Sequence, residues 1–391
     1  MLIYRLPLEI WELILRELPL PDHLALRLTN KYVSHQCSGP FFRLPISRDR
    51  SVVLTRKSLD SLHALASHPT FGSVVTTIYI SACALKVDLQ AGTLTPAFSN
   101  HVPESGVSDA QPDSTHESLL RRRENIERFR EEIADVSDRF VAEWLEATFR
   151  AFRRMDNVLI FMESQQARHG WGGTNEEFEE LEESPPEEHD INSDQFARTC
   201  FLSMCAILKS DIPVQSLYIG NTIGYRSLSQ QILEEPFKLF PSETLVESLE
   251  ELGIHTWISE ASRESQISIS PKLQSWSKSI DAPAATPISS SFASNLCNLK
   301  RLYLHMNFLD LPITNSKPCP DFLEHIHSPN LESLTFVYFK MSASFLLSFL
   351  KKHPKLREIE LSEIDLSEGD WKEALDFLHR DMPNLKELRV I

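Results

Sequence analysis

The amino-terminal segment places apolar residues at the three- and four-residue steps of amphipathic helices. Leu6-Pro7 opens the first predicted helix, since proline at the first helical position sacrifices no hydrogen bond. The apolar stripe of this helix consists of Ile10, Leu13, Ile14 and Leu18. Pro19 and Pro21 end the helix, and Asp22 is placed to cap a second one. The apolar residues of the second helix recur at four-residue steps and are Leu24, Leu28 and Tyr32.

Two helices of this length cannot bury both apolar faces against each other alone. The rest of the chain or a partner has to cover the remaining apolar surface. The pattern leaves two interpretations open: a helical cap on a repeat array, or a helix pair that binds another protein.

Farther along the chain one spacing recurs, apolar-x-x-apolar-x-apolar, after lead-ins such as Pro329-Asn-Leu. Four clear copies lie 25 to 32 residues apart, at Leu299/Leu302/Leu304, Leu331/Leu334/Phe336, Leu356/Ile359/Leu361 and Leu385/Leu388/Val390. Looser copies lie upstream, at Val75/Ile78/Ile80, Met155/Val158/Ile160, Val214/Leu217/Ile219 and Leu249/Leu252/Ile254. The last two apolar positions alternate with polar ones, which is the period of a half-buried strand.

Apolar residues at helical spacing follow the second and third clear copies, over 345–350 and 371–378, and predict helices that return the chain to the next strand. The expected fold class is therefore α/β, with parallel strands joined by helices and stacked into a curved solenoid. A conventional α/β sheet is the alternative.

Several segments interrupt the repeat pattern. Residues 91–118, 165–192 and 258–294 are predicted to be flexible insertions, since they are rich in Ser, Pro or acidic residues and lack a hydrophobic period. The acidic run at 176–190 is interpreted as a solvated loop, with a surface for a basic target as the alternative. Residues 119–154 are predicted to form one long helix that packs against the array.

Composition and charge limit the kinds of partner and the location that the protein can have. Hydrophobic residues make up 42% and charged residues 24%, which is typical of a globular chain. The net charge of −16 argues against nucleic acid or an anionic membrane as the main partner. No apolar run is long enough to span a bilayer, and charged residues interrupt every candidate signal peptide. The cysteines form no C-x-x-C motif, so we expect free thiols and a cytoplasmic or nuclear location.

Sequence motifs of catalysis are absent. The chain has no G-x-S-x-G elbow, no phosphate-binding glycine loop and no H-E-x-x-H zinc motif. Cys200 and Cys205 lie on an apolar helical stretch and are interpreted as buried structural thiols. We therefore expect a protein that is not an enzyme, has no cofactor and holds no metal.

The amino-terminal residues resemble a known family. Leu6-Pro7-x-Glu9-Ile10, then Ile14, Leu18, Asp22, Leu24 and Leu28-Thr-Asn-Lys-Tyr32, are similar to the F-box in type, order and spacing. The resemblance implies that residues 1–46 dock onto a Skp-family adaptor and, through it, a cullin. The residues expected to contact the adaptor are Leu6, Pro7, Ile10, Ile14, Leu18, Leu24 and Leu28. Residues 47–391 are expected to form the irregular leucine-rich-repeat-like solenoid, because Asn307 after Leu304 completes that repeat's consensus.

A target-selecting subunit of a Skp–cullin–F-box ubiquitin ligase also needs a surface for its protein target. Side chains that flank the buried strand positions point to the opposite face of the sheet. The residues predicted to bind the target there are Tyr218, His255, Arg301, Tyr303, His305, Glu358 and Arg389, with Tyr79, Thr335 and Glu360 as further candidates. An F-box scaffold or regulator that does not direct ubiquitination shares every one of these features and stays an alternative.

Overall fold

A computed structural model describes the chain at residues 6–18, 20–29, 31, 33, 49–69, 71–82, 131–132, 135–152, 155–161, 189–220, 227–255, 257–259, 263–281, 292–305 and 321–391. These residues form a mixed α/β structure. Its helices are α1 Leu8–Glu17, α2 Leu20–Thr29, α3 Arg56–Ser67, α4 Asp138–Ala151, α5 His189–Ser210, α6 Gln230–Leu239, α7 Glu243–Ser248, α8 Arg263–Ser279, α9 Asp321–His325, α10 Ala343–Lys352 and α11 Trp371–Asp381, with a 3₁₀ turn at Phe292–Asn295.

The strands are β1 Asp49–Val53, β2 Thr77–Ser81, β3 Asn157–Phe161, β4 Ser216–Gly220, β5 Ser227–Ser229, β6 Glu251–His255, β7 Trp257–Ser259, β8 Arg301–His305, β9 Ser333–Val337, β10 Lys340–Ser342, β11 Glu358–Ser362, β12 Asp365–Glu368 and β13 Glu387–Val390. Nine of them make one parallel sheet in the order β1-β2-β3-β4-β6-β8-β9-β11-β13. This order follows the chain without a reversal. The pairs β5–β7 and β10–β12 form two small parallel sheets.

Each of the predicted copies contributes one strand to the large sheet, so the strand predictions are confirmed. In the large sheet the second and fourth residues of the strands from β2 to β11 point into the core, as Leu334 and Phe336 do, while Ser333, Thr335 and Val337 lie half-buried on the opposite face. In β13 the corresponding residues, Leu388 and Val390, are exposed. The pairing is in register from strand to strand, so equivalent positions form continuous rows across the sheet. One core runs between the sheet and the helices.

Side chains just before the strands donate hydrogen bonds to the segments that precede the neighbouring strands. Asn298 Nδ2 donates to Glu247 O at 2.9 Å, and Asn384 Nδ2 donates to Pro354 O at 3.2 Å. His353 Nδ1 donates to Ser328 O at 2.9 Å, within a fully buried position. These bonds satisfy the carbonyl groups of Glu247, Ser328 and Pro354, which precede β6, β9 and β11.

The prediction of a flexible insertion at 258–294 is wrong over much of its length. Residues 263–279 of the predicted flexible stretch 258–294 form α8, because Leu273, Trp276 and Ile280 recur on one helical face and are buried in the main core. At 165–192, residues 189–192 belong to α5, while 165–188 lie outside the described residues, as does the predicted loop at 91–118.

The single long helix predicted over 119–154 is also wrong. The chain turns at 135–137, and α4 begins at Asp138 because the Ser137 side chain accepts a hydrogen bond from Phe140 N. Arg198 fixes this turn by donating to Asp138 Oδ1 at 2.5 Å and to Val136 O at 3.1 Å. Val136 and Phe140 then pack into the main core, as their apolar spacing led us to expect.

Candidate adaptor and target interfaces

Helix α1 begins directly after Pro7. Pro7 precedes the helix by one residue, and its carbonyl accepts hydrogen bonds from Ile10 N at 3.1 Å and Trp11 N at 3.2 Å. The helix ends at Glu17, and α2 starts at Leu20. The predicted cap Asp22 therefore lies in the first turn of α2, where its negative charge interacts favourably with the helix dipole.

The amino-terminal helices have a small core of their own. Trp11, Leu15 and Val33 are buried in a cluster that is separate from the main core, with Leu6, Leu18 and Leu26 packed around it. The sequence prediction chose a different face, the stripe of Ile10, Leu13 and Ile14. Trp11 and Leu15 carried a signal that was missed, because they are four residues apart and therefore adjacent on a helix.

The predicted stripe is the outer side of this helix pair. Ile10 is 39% exposed, Leu13 is 55% exposed and Leu28 is 86% exposed. The exposed adaptor candidates are Pro7, Ile10 and Leu28, and the half-buried ones are Leu6, Ile14 and Leu18. Leu24 lies within α2, but its side chain is outside the described residues. Large exposed apolar residues on short helices are characteristic of a surface that binds another protein.

The predicted target residues lie on the sheet face opposite the helices. Tyr218, Tyr303 and Arg389 occupy the third position of their strands, and His255 and His305 the fifth. Arg301 and Glu358 occupy the first position. The register brings Tyr218, His255, Arg301, Tyr303 and His305 together on β4, β6 and β8, whereas Glu358 and Arg389 lie two and three strands beyond β8.

Aromatic rings dominate the middle of this face. The rings of His255 and His305 stack with centroids 4.0 Å apart and planes 10° apart. Tyr303 lies 6.5 Å from both imidazoles, and Tyr338 lies 5.3 Å from His305. Burial, and to a smaller extent the neighbouring His255, lower the pKa of His305 to about 4. Burial also lowers the pKa of His255, so both rings are neutral near pH 7.

Two glycines leave room for two more rings. A Cβ atom at Gly253 would lie 2.1 Å from Tyr218 Cδ1, and one at Gly220 would lie 2.6 Å from Phe161 Cε1. Tyr218 and Phe161 therefore occupy the space above the neighbouring strand. We call the six rings the aromatic strip, and its members are Phe161, Tyr218, His255, Tyr303, His305 and Tyr338.

Charged groups border the aromatic strip. Tyr218 donates from its hydroxyl to Glu251 Oε2 at 2.7 Å, and Arg301 forms an ion pair with the same carboxylate. Arg389 pairs with Glu387 at 2.5 Å and more loosely with Glu360 at 3.9 Å. Burial raises the pKa of Tyr303, and the negative charge of Glu360 raises it further. The carboxylate of Glu360 is thus close enough to Tyr303 to influence it.

Residues 3–43 match the family model of the F-box domain. The chain contains an F-box domain. F-box domains generally bind Skp-type adaptors of ubiquitin ligases, and the exposed stripe lies within the matched residues. No curated protein matches the chain.

In this F-box protein, sequence reasoning missed part of the aromatic strip. Phe161 is the last residue of β3 and occupies the same strand position as His255. The alignment of equivalent strand positions could therefore have identified it. Tyr338 follows β9 with a φ of 57°, and no local pattern signals that its ring turns back to His305. Gly220 and Gly253 could have indicated that neighbouring groups pack closely against these strands, since glycine inside a strand often marks such a position.

The described residues contain no group of three or more His, Cys, Asp or Glu side chains that could hold a metal ion. Within the same part of the chain, no helix combines the length and apolarity needed to cross a membrane. Cys200 and Cys205 are free and buried, as predicted, and burial raises the pKa of both thiols. Because thiolates are the reactive form, these two cysteines are chemically inert in the folded protein.

Proposed function

We propose that this F-box protein is the target-selecting subunit of a Skp–cullin–F-box ubiquitin ligase. The observation that carries the proposal is that the F-box helices have one set of apolar side chains buried in their own core and a second set exposed. Trp11 and Leu15 are buried in the domain's own core, and Ile10 and Leu13 remain exposed beside them. An adaptor groove that covers the exposed side would bury it by helix-in-groove packing.

The anchors differ in their expected contributions. Pro7, Ile10 and Leu28 are available for direct contact with the adaptor, and Ile14 is partly available. Leu6 and Leu18 pack on the internal cluster, so they support the contact surface from behind. A well-buried interface anchor contributes about 2 kcal/mol or more.

The body is proposed to be a degenerate leucine-rich-repeat solenoid whose strand face binds the target. Parallel strands in chain order, an unbroken register and hydrogen bonds donated by the lead-in asparagines before two of the strands support this assignment. The proposed target surface is centred on Tyr218, His255, Arg301, Tyr303 and His305. Glu358 and Arg389 would extend it toward β13.

In this role the protein breaks no bond itself. It holds the target near a ubiquitin-loaded enzyme and accelerates transfer by proximity. The site of action is proposed to be the cytoplasm or the nucleus, where a chain with free thiols such as Cys297 is kept reduced.

The adaptor contact is tested with Ile10→Asp, which places a charge on the exposed stripe without touching the internal cluster. The matched control is Leu375→Asp, at a comparably exposed leucine of α11 in the body. We expect Ile10→Asp to abolish co-purification of a Skp-family adaptor and Leu375→Asp to leave it unchanged. Equal adaptor binding by both variants would show that this face of the F-box is not the contact.

Ligase function is tested separately by target stability. A target identified with the Ile10→Asp protein as bait should have a longer half-life in cells that carry this variant than in cells that carry the wild type. If its half-life is the same in both, the protein is an F-box scaffold or regulator and does not direct ubiquitination.

A further inference from the structure

We propose that the aromatic strip binds an arginine side chain in an extended segment of the target. This inference rests on the proposed function, because it specifies the chemistry of the target that the strand face would receive. Three features of the described residues point to a cation: the presentation of the rings, the neutrality of the histidines and the distribution of carboxylates.

The first feature is how the rings are presented. Gly220 and Gly253 remove the side chains that would lift Phe161 and Tyr218 off the sheet. Tyr303 is 38% exposed and Tyr338 is 40% exposed. Aromatic faces carry negative electrostatic potential, and a guanidinium group stacks on them with its planar face.

The second feature is the charge state of the imidazoles. A protonated histidine would repel a bound cation, but burial lowers the pKa of both imidazoles, and protonation of both rings would place two positive charges 4.0 Å apart. The pair therefore acts as an aromatic surface near pH 7.

The third feature is an excess of carboxylates on this side of the sheet. Along β6, β8, β9, β11 and β13 the strand face has four glutamates, namely Glu251, Glu358, Glu360 and Glu387. The same strands place two arginines on this face, Arg301 and Arg389, and both are ion-paired with glutamates of the face. Together with the net charge of −16, this distribution attracts a basic segment and repels an acidic one.

The binding experiment uses the purified full-length chain and two fluorescent peptides of equal length. One alternates glycine and arginine, and the other alternates glycine and citrulline, which has nearly the same shape without the charge. We expect the wild-type chain to bind the arginine peptide more tightly in fluorescence anisotropy. Equal affinity for the two peptides would overturn the proposal.

Variants locate the site on the molecule. Tyr303→Leu keeps apolar bulk but removes the ring, and should weaken arginine-peptide binding about threefold. Tyr303→Phe should bind like wild type. Glu360→Gln should weaken binding, whereas Glu373→Gln, which removes an equal charge from α11, should not. If Glu373→Gln weakens binding as much as Glu360→Gln does, the peptide binds by overall charge and the proposal is wrong.

The F-box variant Ile10→Asp separates this inference from the proposed function. It should lose the adaptor but bind the arginine peptide like wild type, since its substitution lies outside the sheet. If the wild-type chain binds the adaptor but does not prefer the arginine peptide, the aromatic strip is not an arginine site. The ligase assignment would then still stand.

Discussion

Replacing Trp11 with alanine tests whether the F-box helices depend on their own core. Trp11 is fully buried, and among the residues that the structure describes the cluster around it contains two further buried side chains, Leu15 and Val33. Truncating a buried tryptophan to alanine costs about 3 to 5 kcal/mol. Whole domains are stable by about 5–15 kcal/mol, so a core of this size cannot absorb the loss. We expect α1 and α2 to unfold while the sheet and its helices stay folded.

Hydrogen exchange read by mass spectrometry measures this outcome segment by segment. In Trp11→Ala, amides of Leu8–Glu17 should exchange at unprotected rates, and amides of Ser333–Val337 should keep wild-type protection. Ile10→Ser serves as the control because it alters an exposed neighbour, and it should leave both segments protected. Wild-type protection of α1 in Trp11→Ala would refute the reasoning, since another part of the chain would then have to hold the helix.

Three further predictions concern the body. The free energy of unfolding measured by urea titration should fall as the pH drops from about 6.5 toward 4. His305 and the buried His353 have lowered pKa values, so the unfolded chain binds more protons than the folded chain in this pH range. His305→Asn should therefore make the unfolding free energy depend less on pH. Gly253→Ala should lower the melting temperature by forcing the Tyr218 ring to move, and adding Tyr218→Ala should remove most of that effect in a double-mutant cycle. Cys297 is exposed and should react with iodoacetamide in the folded protein, whereas the two buried thiols of α5 should react only after unfolding.

The strands could be predicted because their signal is local and repeated. Each copy places two apolar residues at alternating positions after an apolar lead-in, and burial on one face of a parallel sheet requires just this pattern. β1 was missed because the position aligned with the buried Ile78 is Arg50, which breaks the spacing. The composition led to a wrong prediction at α8. The serine-rich sequence and Pro271 indicated a flexible segment, although Leu273 and Trp276 are buried.

The sheet face opposite the helices shows the limit of the same reasoning. Alternation along a strand places Tyr218 and Tyr303 on the correct side, but it does not specify which rings meet. The stack of His255 on His305 depends on the register between β6 and β8, which no single strand encodes. The contact from Tyr338 depends on a backbone turn with positive φ at a residue other than glycine, and sequence patterns rarely signal such a turn.

If the proposed adaptor contact exists, it should be coupled to the folding of the F-box. Among the described residues this core has three buried side chains, and Leu13 and Leu28 stay exposed when the F-box folds alone, so we expect the helix pair to be marginally stable. A partner that binds only the folded helix pair adds stability in proportion to the logarithm of its concentration over its dissociation constant. Because the same apolar side chains would supply the contact, weakening the interface should also loosen α1. The F-box would then be most ordered when the adaptor covers it, and the body would keep its target surface regardless.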